Sequence, residues 1–177
     1  SQLARFCPTQ QALLANPKLA LPALQQRLEG MVDAGKRAAR MERLAGEYRQ
    51  REEFVQGVLD QDWQDTPMRW GAAFREIASA LPENAIVVDE LASFYGQLPK
   101  VMKFDEPGSY FGHCEALGWG VPATLGVALG APERPVVGIL GDGGAMFCVQ
   151  ALWSAAKYDI PAVMIIMNNG GYGCMRG

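Results

Sequence analysis

Among 177 residues there are 4 cysteines and 1 histidine. Cys7, Cys114, Cys148 and Cys174 form no CxxC pair, and their spacing matches neither a zinc site nor a disulfide framework. They read as reduced thiols of a cytoplasmic protein. No apolar stretch reaches the roughly 18 residues that a membrane-spanning helix needs. The start, SQLARFCPTQ, lacks the basic-then-apolar order of a secretion signal and lacks an initiator Met, so the chain reads as processed or as a piece of a longer one. A formal net charge of −3 leaves no basic excess for nucleic acid. Internal repeats and low-complexity tracts are also missing, which excludes solenoids and disordered arrays.

What is present is the balance of a globular protein, with 49% apolar and 20% charged residues. The 20 glycines and 11 prolines exceed what a helix bundle uses and point to many loops. Composition divides the chain into three zones. Residues 1–32 carry a periodic apolar run, Leu19, Leu21, Leu24, Leu28 and Met31, which so short a segment cannot bury by itself, so it is expected to pack on something else. Residues 33–66 intersperse Arg, Lys and Glu with widely spaced apolar positions and read as a charged helical linker. Residues 67–177 read as a further domain. Thr66 is placed to cap a helix that starts at Pro67 and runs to about Leu81.

Three apolar runs follow: Ala85 to Val88 before Asp89-Glu90, Pro135 to Leu140 before Gly141-Asp142-Gly143-Gly144, and Ala162 to Met167 before Asn168-Asn169-Gly170-Gly171. Each reads as a buried parallel strand. Residues 96–113 read as a loop, 116–129 as a Gly-rich helix and 145–157 as a second helix, on which Cys148 and Trp153 read as packing residues. Strands alternating with helices predict an α/β domain with a doubly wound parallel sheet.

Open parallel sheets bind ligands beyond the carboxyl ends of their strands. The Gly-Asp-Gly-Gly turn opens a helix whose free N–H groups favour a phosphate, and Gly143 and Gly144 leave the backbone approachable. A carboxylate at Asp142 would repel phosphate oxygens unless a hard cation lay between them, which Mg²⁺ with its oxygen ligands would do. Asn169 offers a neutral oxygen, and Gly170 and Gly171 let a backbone carbonyl turn inward. The expected metal ligands are therefore Asp142, Asn169 and the Gly171 carbonyl. Either turn alone is a common strand ending. The pair, with 26 residues between Asp142 and Asn169 and a helix plus a strand in the gap, is a more specific signal.

The segment GDGGAMFCVQALWSAAKYDIPAVMIIMNN resembles the signature of thiamine-diphosphate-dependent enzymes, and the likeness extends through EPGSYFGHCEALGWGVPATLGVALG upstream and GGYGCMRG downstream. It is similar to the benzoylformate decarboxylase branch, which neighbours the acetohydroxyacid synthases. The resemblance covers residues 67–177 and implies the thiamine-diphosphate-binding fold, here incomplete at its C-terminal side, with residues 1–32 as the end of a preceding middle domain and 33–66 as the linker. It implies thiamine diphosphate and Mg²⁺ as cofactors and decarboxylation of a 2-oxo acid through an enamine. It also implies a homodimer or homotetramer in the cytoplasm, and a pyrimidine-binding domain from the same or a partner subunit that this chain does not contain. Without that domain the chain alone is expected to be inactive. No nucleic-acid or membrane partner is implied.

By the same resemblance, Gly143, Gly144 and Ser93 meet the diphosphate, Gly141 belongs to the cofactor-binding set, and Leu117 is the wedge that bends the cofactor into a V. The carbonyl of Glu115, where the family usually has Gly, faces the pyrimidine amine. Phe147, Tyr172, Gly173, Cys174 and Met175 border the cofactor, and Phe111 with Met175 the substrate. His113 is a candidate for the pocket, and no other catalytic side chain is assigned. Two alternatives stay open. One is an acetohydroxyacid-synthase-like carboligase, in which FAD is also a candidate; the other is a nucleotide-binding or non-catalytic module, which the GDGG pattern fits less well than GxGxxG would.

Overall fold

The computed structural model describes residues 8–60, 65–112 and 116–175. The chain divides into two compact units, with the boundary between Glu52 and Glu53. In the first unit, helix α1 spans Pro17–Leu28, capped by Asn16, whose side chain accepts the Lys18 N–H at 3.0 Å. No residue of α1 is buried; the apolar run at Leu19, Leu21, Leu24, Leu28 and Met31 is exposed. Helix α2 spans Ala34–Leu59 and crosses the unit boundary. Asp33 caps it by accepting the Lys36 N–H at 2.8 Å.

The second unit opens with the end of α2 and then helix α3, Trp70–Ala80. The helix starts three residues later than the sequence suggested, and Arg69 rather than Thr66 stands at its cap. Arg69 has extended backbone there, accepts the Ala73 N–H through its carbonyl, and pairs with Asp65 at 2.5 Å. Arg75 donates to the Leu59 carbonyl at 2.5 Å, which ties α3 to the last turn of α2.

Four parallel strands form the sheet: β1 Ile86–Glu90, β2 Tyr110–Gly112, β3 Val136–Gly141 and β4 Val163–Met167, in the order β2-β1-β3-β4. Helices α4 (Leu98–Val101), α5 (Gly120–Gly130), α6 (Asp142–Phe147) and α7 (Ala151–Lys157) connect them. Successive side chains of a strand point to opposite faces, and the core follows that rule. Val87, Val137 and Ile139 pack with Phe74 of α3 and Leu98 of α4 on one face. Ile86, Val88 and Val136 pack with Ala128 of α5 on the other, extended by Val121, Leu140 and Ala145. The domain is therefore α/β with helices on both sides of a parallel sheet. Full burial of a side chain such as Phe74 stabilises this core by roughly 2–3 kcal/mol.

Four local features differ from the sequence reading. The segment 96–113 is more than a loop, because it contains α4 and β2. The helix expected over 145–157 is two, broken at Cys148, whose backbone leaves the helical region (φ −133°, ψ 31°). Trp153, expected to pack, is exposed, with Lys157 Nζ 4.5 Å above its ring. Finally, β4 is not buried. Among the described residues it is one of the two edge strands and pairs only with β3, and Val163 and Ile166 stay 57% and 45% exposed.

Candidate cofactor site

The tips of β1, β3 and β4 end level, since Glu90 pairs with Leu140 and Gly141 with Met167. The turns that leave these tips therefore converge beyond the same edge, and a cavity lies among them. Asp142, Gly143 and Gly144 line it from the turn after β3. Asn169, Gly171, Tyr172 and Cys174 line it from the turn after β4, and Ser93 and Leu117 from the β1 side.

The turn after β3 passes directly into α6. Gly141 stands at its cap in extended conformation, and Asp142 is its first residue. The two glycines that follow are closely covered. A Cβ on Gly143 would lie 3.0 Å from the ring of Tyr172, and one on Gly144 would lie 2.8 Å from Glu90 Oε1. The turn after β4 is ordered by its own amides. Asn168 Oδ1 accepts the Gly170 N–H at 2.8 Å, and Asn169 Oδ1 accepts the Gly171 N–H at 3.0 Å. Asn169 Nδ2 faces Ser93 Oγ at 3.4 Å, and a Cβ on Gly173 would touch both. Thus the turn after β4 leans on the turn after β1, although 76 residues separate Ser93 and Asn169.

Apart from Glu90, whose two oxygens accept backbone N–H groups, the side-chain oxygens lining the cavity are the Asp142 carboxylate, the Asn169 amide and the Ser93 hydroxyl. Among the described residues no group of three His, Cys, Asp or Glu side chains could hold a metal. A single carboxylate with a neutral amide suits Mg²⁺, which keeps several positions for phosphate oxygens and water. The amide oxygen of Asn169 has a second lone pair beyond the one facing Gly171. The residues present fit a diphosphate carried on Mg²⁺.

Glu90 was not singled out by the sequence, and it closes the floor of the cavity. It is 6% exposed. Its carboxylate accepts the N–H of Gly118 on Oε1 and that of Gly120 on Oε2, the latter at 2.6 Å. The signal in the sequence was a charge at the end of an apolar strand, with nothing to mark its partners 28 and 30 residues away. Leu91, Ala92, Phe94 and Met167 also line the cavity without having been expected. Leu117 borders both this cavity and a smaller one lined by Asp89, Tyr95 and Trp119.

The remaining expected residues lie elsewhere. Phe111 is on β2, opposite Val88, and does not line the cavity. Phe147 supports Gly118 from below and Met175 is 81% exposed; neither lines the cavity. Gly173 touches Ser93 and Asn169 behind it. His113 and Glu115 lie outside the described residues. No described helix is long and apolar enough to cross a membrane.

Comparison with known proteins agrees with this geometry. Residues 93–177 match the family model described as thiamine pyrophosphate enzyme, C-terminal TPP binding domain. The chain is 44% identical over 111 residues to benzoylformate decarboxylase of Pseudomonas aeruginosa, covering 62% of this chain and 21% of that protein. A candidate 2-ketoarginine decarboxylase of the same organism is 31% identical over 181 residues, covering 97% of this chain and 29% of its own length. Among solved structures, a candidate thiamin diphosphate-dependent enzyme from Mycobacterium smegmatis superposes with a TM-score of 0.54 at 33% identity, over 60% of this chain and 22% of that one. Residues 93–177 thus match the C-terminal cofactor-binding domain of the thiamine-diphosphate-dependent enzymes, and the chain spans less than a third of the curated relatives it matches.

Proposed function

We propose that the chain is the cofactor-holding part of a Mg²⁺- and thiamine-diphosphate-dependent enzyme that decarboxylates a 2-oxo acid of the benzoylformate kind. The observation that carries this reading is the meeting of Asp142, Asn169 and Gly171 at one cavity from two different strand tips. When bound, thiamine diphosphate supplies a nucleophilic thiazolium carbon and an electron sink for the bond to CO2.

The chain's own residues do the holding. Asp142, Asn169 and the Gly171 carbonyl are the ligands for Mg²⁺, and Gly143 and Gly144 expose backbone to the diphosphate. Ser93 closes the tail's other side, and Leu117 props the rings. Preorganised placement of this kind lets bound groups react without searching for one another. The half of the site above Leu117 and Tyr172, 50% and 64% exposed, is assigned to a pyrimidine-binding domain of the same or a partner subunit. The 44% identity to benzoylformate decarboxylase favours decarboxylation of an aryl 2-oxo acid.

Titration calorimetry of this chain with thiamine diphosphate tests the reading, with NAD as control. Binding is expected with Mg²⁺, to be lost with EDTA and to fall at least about a hundredfold in Asp142→Ala, as removal of a metal-bound carboxylate should cause. Undiminished affinity in Asp142→Ala, or preference for NAD, overturns it. Product analysis of the longer parent enzyme fed benzoylformate, phenylpyruvate or pyruvate identifies the substrate.

A further inference from the structure

We propose that Glu90 is a positioning residue that sets the height of Leu117 beneath the cofactor rings. This rests on the proposed function for what lies above Leu117, but the grip itself is a property of the chain. Leu117 is half exposed and borders a cavity on each side, so packing does little to fix it. Its backbone is held instead. The N–H of Gly118, next in sequence, and that of Gly120 both end on the Glu90 carboxylate. The loop cannot sink, because Gly118 already rests on Phe147; a Cβ at Gly118 would lie 2.5 Å from Phe147 Cβ. Gly120 and Gly144 lie close against the carboxylate, where a Cβ on either would fall within 2.8 Å of its oxygens.

A carboxylate is the required group. Two N–H donors need two acceptor oxygens, and Glu provides both on one rigid plane. A Gln of the same size has a single acceptor and would turn its NH₂ against the second N–H. The negative charge also faces the start of α5, where the helix dipole favours it. Glu90 does not need to touch the cofactor for this; it acts through the backbone that follows Leu117.

The test is Glu90→Gln in this chain, read in three ways. Amide hydrogen exchange at Gly118 and Gly120 should quicken about tenfold or more, as loss of a charge-assisted bond implies, while the β3 amides stay protected. Affinity for thiamine diphosphate with Mg²⁺ should fall about tenfold, while that for inorganic pyrophosphate with Mg²⁺ changes less than about twofold, since the tail ligands are untouched. In the Leu117→Ala background the loss caused by Glu90→Gln should shrink, as expected for two residues acting as one unit. Unchanged exchange at both glycines, an equal loss for pyrophosphate, or full additivity with Leu117→Ala overturns the proposal. If the parent chain binds no thiamine diphosphate, the proposed function fails, and exchange at Gly118 and Gly120 alone decides whether Glu90 holds the loop. Should Glu90→Gln not fold, Glu90→Asp, which keeps both oxygens one methylene short, carries the same measurements with smaller effects expected in the same direction.

Discussion

The phenol of Tyr110 donates a 2.8 Å hydrogen bond to Asp89 Oδ2, joining the edge strand β2 to the central strand β1 at the end nearest the cofactor site. The second oxygen of Asp89 accepts the Leu91 N–H at 3.0 Å, and the residue is 5% exposed. Burial raises the Asp89 carboxyl above its usual value of 3.8, and the bonds from Tyr110 and Leu91 pull partly against that rise. A group whose pKa is raised by folding contributes stability below its unfolded value and loses it as pH climbs through the folded value. Stability carried by Asp89 is therefore greatest in acid and falls as the pH rises past 3.8.

Tyr110→Phe removes one of the bonds that favour the charged carboxylate. The variant should cost about 0.5–1.5 kcal/mol where Asp89 is protonated and about 1.5–3 kcal/mol where it is ionised. Urea unfolding of both proteins between about pH 4 and 8 should show the gap widening as pH rises. A gap independent of pH would show that the bond does not sense the charge of Asp89.

Gly118 has φ +91°, in the region open to glycine, and its α-carbon abuts Phe147. Gly118→Ala should lower stability by about 2 kcal/mol or more, since backbone strain and overlap add. Phe147→Ala should not rescue it, because the clashing atom is the Cβ that alanine keeps. Denaturant midpoints of the two single variants and the double variant check this.

Gly143 makes the opposite case. The atom a methyl group would meet is Cε1 of Tyr172, the far part of a side chain that can swing. Gly143→Ala should leave stability within about 1 kcal/mol, helped by alanine's better helix propensity. It should nevertheless weaken thiamine diphosphate binding about tenfold or more, because the methyl pushes on Tyr172 in the cavity wall that the two residues share. Thermal unfolding and calorimetry on one preparation separate the two effects.

On the strand behind the site, a Cβ at Gly138 would lie 2.5 Å from Thr124 Oγ1, itself bonded to the Gly120 carbonyl at 2.7 Å. Gly138→Ala should cost about 1–3 kcal/mol by overpacking β3 against α5. In a Thr124→Ala background most of that cost should vanish; persistence of the full cost would place the strain elsewhere.

How far these arrangements could be read in advance depended on whether the cause lay close by in the chain. The apolar runs behind β1 and β3 announce strands buried on both faces, and they are. The run at Val163–Met167 is no less apolar, yet β4 lies at the edge of the sheet. Hydrophobicity marks a strand's conformation without saying what covers it. Strand β2 has three residues, too few for a periodicity, and exists because Tyr110 to Gly112 find Val87 to Asp89. The break at Cys148 has no proline or glycine to announce it. The GDGG and NNGG turns were legible because glycine is conspicuous. Glu90 was not, because its work is done on amides about thirty residues downstream.

The opposite ends of β1 and β3 offer a contrast with the strand tips. There Arg134 donates to the Asn84 carbonyl at 2.8 Å and Ile86 to the Pro135 carbonyl at 2.8 Å, bonds that brace the frame at a distance from any ligand. Scaffold and ligand contacts thus occupy opposite ends of the same strands. Diversification confined to a few short turns could retune what is held while the frame's own bracing is inherited intact, and engineers could draw their libraries along the same line.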